Sequence, residues 1–114
     1  MESKSTMSES SIEKKFKKLC ERHGMRVIKM SAQFEWGIPD RLVLFEGFAG
    51  FCELKAPGKK PQRHQDIYLK KLQMEGNFVG VVSDPNDIVS WIGEFKKHIN
   101  EKNHVCPPCR GLLK

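Results

Sequence analysis

The sequence lacks any apolar run that approaches the roughly 20 residues needed to span a bilayer. Residues 1–11 are rich in serine and charge, and they lack the apolar segment that defines a secretory signal peptide. We also find no internal repeat of the kind that marks solenoid proteins. We therefore expect a protein that has no membrane partner and stays inside the cell, in the cytoplasm.

Cysteine and histidine are few, and their spacing matches none of the common metal or redox sites. Cys20 falls on an apolar helical stripe and Cys52 within a strand pattern, so we predict that both are small core residues. The pair Cys106 and Cys109 lacks a second pair of ligands at the spacing of a structural zinc site. We interpret this pair as two free thiols in a terminal tail, with zinc binding as the alternative.

Acidic residues are outnumbered, with 14 Asp and Glu against 20 Lys and Arg, which gives a net charge of +6. A basic chain favours polyanionic partners, because cations that neutralise phosphates release condensed counterions. Charge alone leaves open the simpler interpretation of a solvated basic surface. The composition, 39% apolar and 30% charged residues, is typical of a folded domain and excludes a disordered chain.

Apolar spacing divides the chain into seven predicted elements in the order α-β-β-β-α-β-α. The helix between the third and fourth strands has the length of a crossover that makes those strands parallel. This pattern predicts an α/β fold in which a small mixed β-sheet is flanked by helices. Three predicted helices start near residues 10, 63 and 86, and four predicted strands cover residues 25–31, 40–45, 50–55 and 78–83. The predicted domain covers residues 10–100, between a flexible N-terminus (1–9) and a basic tail (101–114) without a core pattern.

The second and third predicted strands are close enough in sequence to form only a hairpin. We predict a four-residue loop over residues 46–49, which pairs Leu42 with Glu53 and Asp40 with Lys55. In this register Asp40 and Glu53 lie on the same face of the sheet, whereas a one-residue slip would separate them.

The most informative residues lie at the ends of these two strands. Asp40 follows a Gly-Ile-Pro loop, and Glu53 and Lys55 lie two residues apart on the next strand, so their side chains point the same way. Two converging carboxylates form a hard-oxygen site suited to Mg²⁺ or Mn²⁺, with the carbonyl of Leu54 as a further ligand. Such a cation activates water and polarises a phosphate, and Lys55 could orient that water. The simpler interpretation is a surface ion pair of Glu53 and Lys55 on an edge strand.

These motifs, in this order and spacing, resemble the VRR-NUC (virus-type replication-repair nuclease) domain of the PD-(D/E)XK nuclease superfamily. The resemblance covers about residues 10–95, and the short chain is similar to the stand-alone phage and bacterial members. The residues that carry it are Glu13, Lys29-x-Ser31, Gly37-x-Pro39-Asp40, Glu53-x-Lys55-Ala56-Pro57-Gly58, Gln65 and Leu72-x-x-x-Gly76.

The resemblance implies a restriction-endonuclease-like core and a metal-dependent DNA endonuclease in a bacterial or phage-infected cell. It implies that Asp40 and Glu53 hold Mg²⁺ or Mn²⁺ and that Lys55 is the catalytic lysine. It also implies that Glu13 reaches the metal from the first helix and that Gln65 points at the site. Stand-alone members are similar to homodimeric enzymes that act on branched DNA such as four-way junctions.

Glu13 also has a structural interpretation, because Ser10 and Glu13 have the spacing of a helix capping box. In that case Ser10 would be the N-cap and Glu13 would accept a hydrogen bond from its backbone. Gln65, in the same way, could be an ordinary polar residue early in a helix.

The basic residues Lys59, Lys60 and Arg63 follow the predicted catalytic strand and could grip DNA phosphates or simply be solvated. The main alternative to a nuclease is a non-catalytic DNA-binding module of the same fold. If the chain is a homodimer, exposed apolar residues could supply the contact. The candidates for that contact are Phe34, Trp36 and Phe48.

Overall fold

A computed structural model describes residues 8–31, 33 and 35–105, with the backbone alone for residues 103–105. The helices are α1 (Glu9–Arg22), α2 (Arg63–Met74) and α3 (Pro85–Val105), and the strands are β1 (Arg26–Lys29), β2 (Arg41–Phe45), β3 (Phe48–Leu54) and β4 (Phe78–Val82). Their order is the predicted α-β-β-β-α-β-α, and the α/β class is confirmed.

The four strands form one mixed sheet in the order β1-β2-β3-β4. The pairs β1–β2 and β2–β3 are antiparallel, whereas β3 and β4 are parallel. Helix α2 provides the crossover between β3 and β4, as its length predicted. The sequence-based topology is therefore confirmed.

The hairpin between β2 and β3 is tighter than the four-residue loop predicted over residues 46–49. Phe45 pairs directly with Phe48, which leaves only Glu46 and Gly47 in the turn. These two residues have φ angles of 52° and 83°, the positive values at both positions that define a type I′ turn. The predicted pairing is wrong by two residues. Because side chains alternate with a period of two, the shift leaves every residue on its predicted face.

Helix α1 begins earlier than predicted, and the proposed capping box is wrong. Ser8, not Ser10, is the N-cap, and its Oγ accepts the backbone N–H of Ser11 at 3.2 Å. The sequence offers equivalent serines at both positions, and the earlier one allows a longer helix. As a result Glu9 occupies the first turn, and Glu13 lies one turn inside the helix.

The core lies between one face of the sheet and the helices α1 and α3. Close packing is evident at Gly50, where an added Cβ would lie 3.0 Å from the Phe95 ring. Cys20 and Cys52 are both fully buried free thiols, so their predicted place in the core is confirmed. Burial raises the pKa of Cys20 to about 12, so its thiol is protonated at neutral pH.

The other two helices complete the fold. On α2, Leu69 is buried, whereas Ile67 is 50% exposed. Helix α2 packs on β4, the last strand of the sheet, through a narrow stripe of side chains, and Ile67 lies outside this stripe. Helix α3 continues to Val105, beyond the predicted end of the ordered domain at residue 100.

None of the described helices is both long and apolar enough to cross a lipid bilayer. Cys106, Cys109 and Phe34 lie outside the described residues. The interpretation of the cysteine pair and the proposed contact at Phe34 therefore stay predictions.

Candidate active site

Asp40 is positioned by the loop that leads into β2. Gly37 in this loop has φ = 88°, and an added Cβ would lie 3.1 Å from the carbonyl oxygen of His64, so glycine fits both constraints. Pro39 is buried, and the N–H of Met30 donates to the carbonyl of Asp40 at 2.7 Å. The last contact extends the pairing of β1 and β2 to Asp40, which fixes its backbone.

The hairpin register sets Asp40 beside Glu53. The backbone N–H of Asp40 donates to Glu53 Oε1 at 3.2 Å, and the backbone N–H of Leu54 donates to Asp40 Oδ2 at 3.0 Å. Each carboxylate is therefore held by the backbone of the neighbouring strand. The structure brings the two predicted acidic residues together at one end of the sheet.

Glu53 is fully buried, which is unusual for a carboxylate. Its Oε2 atom forms an ion pair with Lys55 Nζ at 3.1 Å, and no other described residue donates to it. Burial, followed by the nearby charge of Asp40, raises the pKa of Glu53, although Lys55 and the Asp40 N–H oppose this. The site thus contains a buried carboxylate oxygen that is charge-compensated only by Lys55.

Glu13, predicted to reach the metal site, is paired with a cation on β2. Its Oε1 atom lies 3.1 Å from an Nη atom of Arg41, whose side chain is only 8% exposed. Arg41 also donates to the carbonyl oxygen of Asp40 at 3.1 Å. Arg41 therefore links the first helix to the backbone at Asp40, a role that the sequence did not predict. A direct role of Glu13 at a metal remains a prediction.

Glu9 is an acidic residue of α1 that the sequence interpretation left outside the helix. Burial and the charges of Asp40 and Glu13 raise its pKa, whereas Lys55 and Arg41 lower it. The charges of Asp40 and Lys55 thus act on Glu9, which lies one helical turn before Glu13. The signal was present, since residues four apart share a helix face, but the predicted cap at residue 10 had excluded Glu9 from the helix.

The remaining predicted residues lie after β3. Gln65 Oε1 accepts the backbone N–H of Gln62 at 2.9 Å, so this side chain caps α2. Lys59 and Lys60 are exposed in the connecting loop, and Arg63 is exposed at the start of α2. Their contacts with DNA, and a role of Gln65 at the site, stay predictions.

The donor set can be tested for a hard divalent cation. Asp40 Oδ1 and Glu53 Oε2 accept no hydrogen bond from any described residue, and carboxylate oxygens are ligands that Mg²⁺ and Mn²⁺ prefer. Within residues 8–31, 33 and 35–102, no three Asp, Glu, His or Cys side chains converge closely enough to bind a metal by themselves. A cation bound by these two carboxylates would have to keep several water or phosphate ligands, as Mg²⁺ commonly does.

Comparison with known proteins identifies the family. No protein-family model and no curated protein matches this sequence. A solved structure described as a VRR_NUC domain matches the fold with a TM-score of 0.69 and 30% sequence identity. The match covers 76% of this chain and 96% of that one. The chain therefore belongs to the VRR_NUC family and is a nuclease-type domain.

Proposed function

We propose that this protein is a metal-dependent endonuclease that hydrolyses phosphodiester bonds in DNA. The observation that carries the proposal is the arrangement of Asp40, Glu53 and Lys55. Two carboxylates are fixed by backbone hydrogen bonds, and one of them keeps a buried oxygen that, among the described residues, is paired with Lys55 alone. A surface ion pair does not require full burial of its carboxylate, because desolvation of that charge costs free energy.

Asp40 and Glu53, with the backbone carbonyl of Leu54, would hold Mg²⁺ or Mn²⁺. When bound, the cation would neutralise phosphate charge and make a coordinated water more acidic. Glu9 would act on the cation through a bound water, because no three acidic side chains of the described residues converge on one metal. Glu13 would act mainly through Arg41, by keeping the backbone of Asp40 in place.

Lys55 would supply the positive charge that hydrolysis requires. Its Nζ lies 3.1 Å from Glu53 Oε2. From this position Lys55 can orient the attacking water and stabilise the negative charge that develops on the phosphate. Gln65, early in α2, would bind a water or phosphate oxygen once DNA displaces it from its capping position.

The substrate that fits best is DNA of branched structure, bound by a homodimer. The net charge of +6 and the exposed Lys59, Lys60 and Arg63 favour a phosphate backbone as ligand. A two-fold symmetric dimer would match the symmetry of a four-way junction. Of the predicted dimer contacts, Trp36 is 71% exposed, whereas Phe48 packs half-buried against the core. Light scattering at micromolar concentration, with and without junction DNA, tests the dimer.

The direct test is cleavage of plasmid, duplex and four-way-junction DNA in Mg²⁺, Mn²⁺ or EDTA. We expect cleavage with either cation and none in EDTA. Asp40→Asn should abolish cleavage and weaken cation binding, whereas Lys55→Ala should lose cleavage about 100-fold or more with cation binding retained. Lys70→Ala is a matched control, because Lys70 is an exposed lysine on α2 that pairs only with Asp66.

The alternative is a module of the same fold that binds DNA without cutting it. Binding of DNA by the wild type without cleavage in any cation would favour that alternative. Cleavage that persists in EDTA, or in Asp40→Asn, would contradict the proposed site.

A further inference from the structure

An aromatic pair stands on the protein surface close to the candidate site. The rings of Trp36 and His64 are stacked, with centroids 4.1 Å apart and planes inclined by 12°. Trp36 nevertheless remains 71% exposed. Since the imidazole covers one face of the indole, the large exposed area must include the opposite face. A rigid aromatic surface is therefore presented to solvent.

The pair is held in place by contacts between the loop and α2. Gly37, next to Trp36, packs so tightly that an added Cβ would lie 3.1 Å from the His64 carbonyl and 3.5 Å from Tyr68 Cβ. On the other side of Trp36, Glu35 Oε2 accepts a hydrogen bond from the Tyr68 hydroxyl at 3.3 Å. Both neighbours of Trp36 are thus fixed to one helix, which limits the entropy that a ligand would remove on binding.

The surroundings of this pair fit a nucleic acid. Asp40 is four positions after Trp36, so their Cα atoms are at most about 14 Å apart. His64 directly follows Arg63, and the exposed Lys59 and Lys60 lie in the loop that enters the same helix. A flat apolar ring beside exposed cations matches a nucleobase attached to its phosphate, and every base has a face that stacks.

We propose that the Trp36–His64 pair is a stacking platform for an unpaired DNA base next to the scissile phosphodiester. The proposal deepens the proposed function, on whose DNA substrate it rests. The exposed indole face receives the base, His64 supports the indole from behind, and the neighbouring cations hold the backbone. The platform would favour DNA with unpaired nucleotides over continuous duplex, in which bases are already stacked on each other.

Tryptophan fluorescence tests the platform without any need for cleavage. The chain has two tryptophans, and Trp91 is 4% exposed and donates a hydrogen bond to the carbonyl of Phe51, so it reports little on surface binding. The full chain in EDTA is titrated with single-stranded oligothymidylate and, separately, with a fully paired duplex of equal length. We expect the single strand, but not the duplex, to quench the wild-type fluorescence.

Two substitutions separate aromatic stacking from simple apolar contact. Trp36→Leu keeps an apolar side chain but removes the ring, and it should weaken single-strand binding roughly 5- to 150-fold. Trp36→Phe keeps an aromatic ring, so its loss in the logarithm of single-strand affinity should be less than half of the loss in Trp36→Leu. Anisotropy of a labelled oligonucleotide measures both variants, and duplex binding should change less than about twofold because it depends on phosphate contacts.

Equal single-strand affinity of Trp36→Leu and the wild type would overturn the platform. So would a Trp36-dependent dimer in sedimentation equilibrium without DNA, because Trp36 would then be the dimer contact considered above and a second copy would cover the indole; the platform requires a dimer contact elsewhere. These measurements contain no metal, so their result is independent of whether the protein cleaves. Failure of cleavage alone bears on the proposed function, whereas unchanged binding by Trp36→Leu bears on the platform.

Discussion

At the scale of single residues, the burial of one carboxylate in the candidate site lowers the stability of the folded protein. Glu53 is fully buried, and one of its oxygens lacks a hydrogen bond from any described residue. Burial and Asp40 raise the pKa of Glu53 above its ordinary value of 4.5. In the absence of metal, the folded state therefore binds a proton here more tightly than the unfolded chain does.

The first prediction follows from this shift. A raised carboxyl pKa means that stability falls as pH rises from the ordinary value through the folded-state pKa, and that the loss is complete above it. Glu53→Gln removes the charge and keeps the shape, so its Tm in EDTA should exceed that of the wild type at neutral pH. The difference should shrink as the pH falls toward 4.5. Thermal unfolding by circular dichroism across this pH range measures both curves.

A lower Tm for Glu53→Gln at neutral pH would contradict this prediction. It would mean that the attraction between Glu53 and Lys55, with Nζ 3.1 Å from Oε2, outweighs the cost of burial. Glu94→Gln is a suitable control, because Glu94 is exposed on α3.

The second prediction separates the two acidic residues of α1. Glu9→Gln should reduce cleavage about 10- to 100-fold, as expected for an outer ligand of a metal site, and should not lower the Tm. Glu13→Gln should lower stability by about 1–3 kcal/mol, because the nearly buried Arg41 loses its charged partner. Cleavage rates, measured together with urea denaturation, test the pair. The opposite pattern, with Glu13 essential for cleavage and Glu9 silent, would assign the metal contact to Glu13.

At the scale of elements, β4 and α3 approach each other closely at a glycine. An added Cβ at Gly80 would lie 2.6 Å from Trp91 Cδ1, and Trp91 is itself packed against the rings of Phe16 and Phe78. The indole cannot move away without disturbing these neighbours. The sequence Phe-Val-Gly-Val-Val is thus a strand in which glycine makes room for a helix.

The third prediction uses this contact. Gly80→Ala should destabilise the protein by about 1–3 kcal/mol, the usual cost of overpacking a core. Gly93→Ala is the matched control, because no atom lies within 4 Å of a Cβ added there, in the exposed middle of α3. The control should stabilise by up to about 1 kcal/mol through helix propensity. Chemical denaturation of the two variants measures the contrast, and a neutral Gly80→Ala would show that the β4–α3 interface can relax.

At the scale of the whole molecule, the net charge of +6 favours DNA, and exposed cations near the acidic site would offset its repulsion of the scissile phosphate. Lys59 and Lys60 are exposed near the end of β3, which ends with Glu53 and Leu54. Lys14 and Lys15, equally exposed, lie on α1 and not on the loop that follows the candidate site.

The fourth prediction compares these two pairs of lysines. Changing Lys59 and Lys60 together to Gln should make the plot of log affinity against log salt concentration less steep. The change in slope should be the one expected for the loss of about two phosphate contacts. Changing Lys14 and Lys15 to Gln makes the same difference in net charge but should leave the slope nearly unchanged. Fluorescence anisotropy across a range of salt concentrations gives both slopes. Equal slopes for the two variants would show that total charge, and not the loop, determines binding.

The sequence by itself determined the class of fold and the faces of the central hairpin. Apolar periodicity gave the order of seven elements, and the length of α2 gave the parallel pairing of β3 and β4. The residue numbers of each pair across β2 and β3 add to an odd total in both the predicted and the observed register. Because side chains alternate along a strand, Asp40 and Glu53 lie on one face in either register, although the predicted turn was wrong by two residues. Element order, crossover length and side-chain alternation depend on residues close together in the sequence, so the sequence pattern predicts them.

The tertiary structure alone decided the surroundings of the acidic pair. That Arg41 meets Glu13, that Glu53 keeps an unsatisfied oxygen and that Trp36 stacks on His64 all depend on contacts between residues far apart in sequence. No periodicity records such contacts, because they depend on how α1 packs beside β2 and how α2 packs beside the loop that precedes β2. The start of α1 also depended on the folded structure, because Ser8 and Ser10 are equivalent N-cap residues in the sequence. In the folded chain Ser8 is the N-cap, so Glu9 belongs to the first turn of α1.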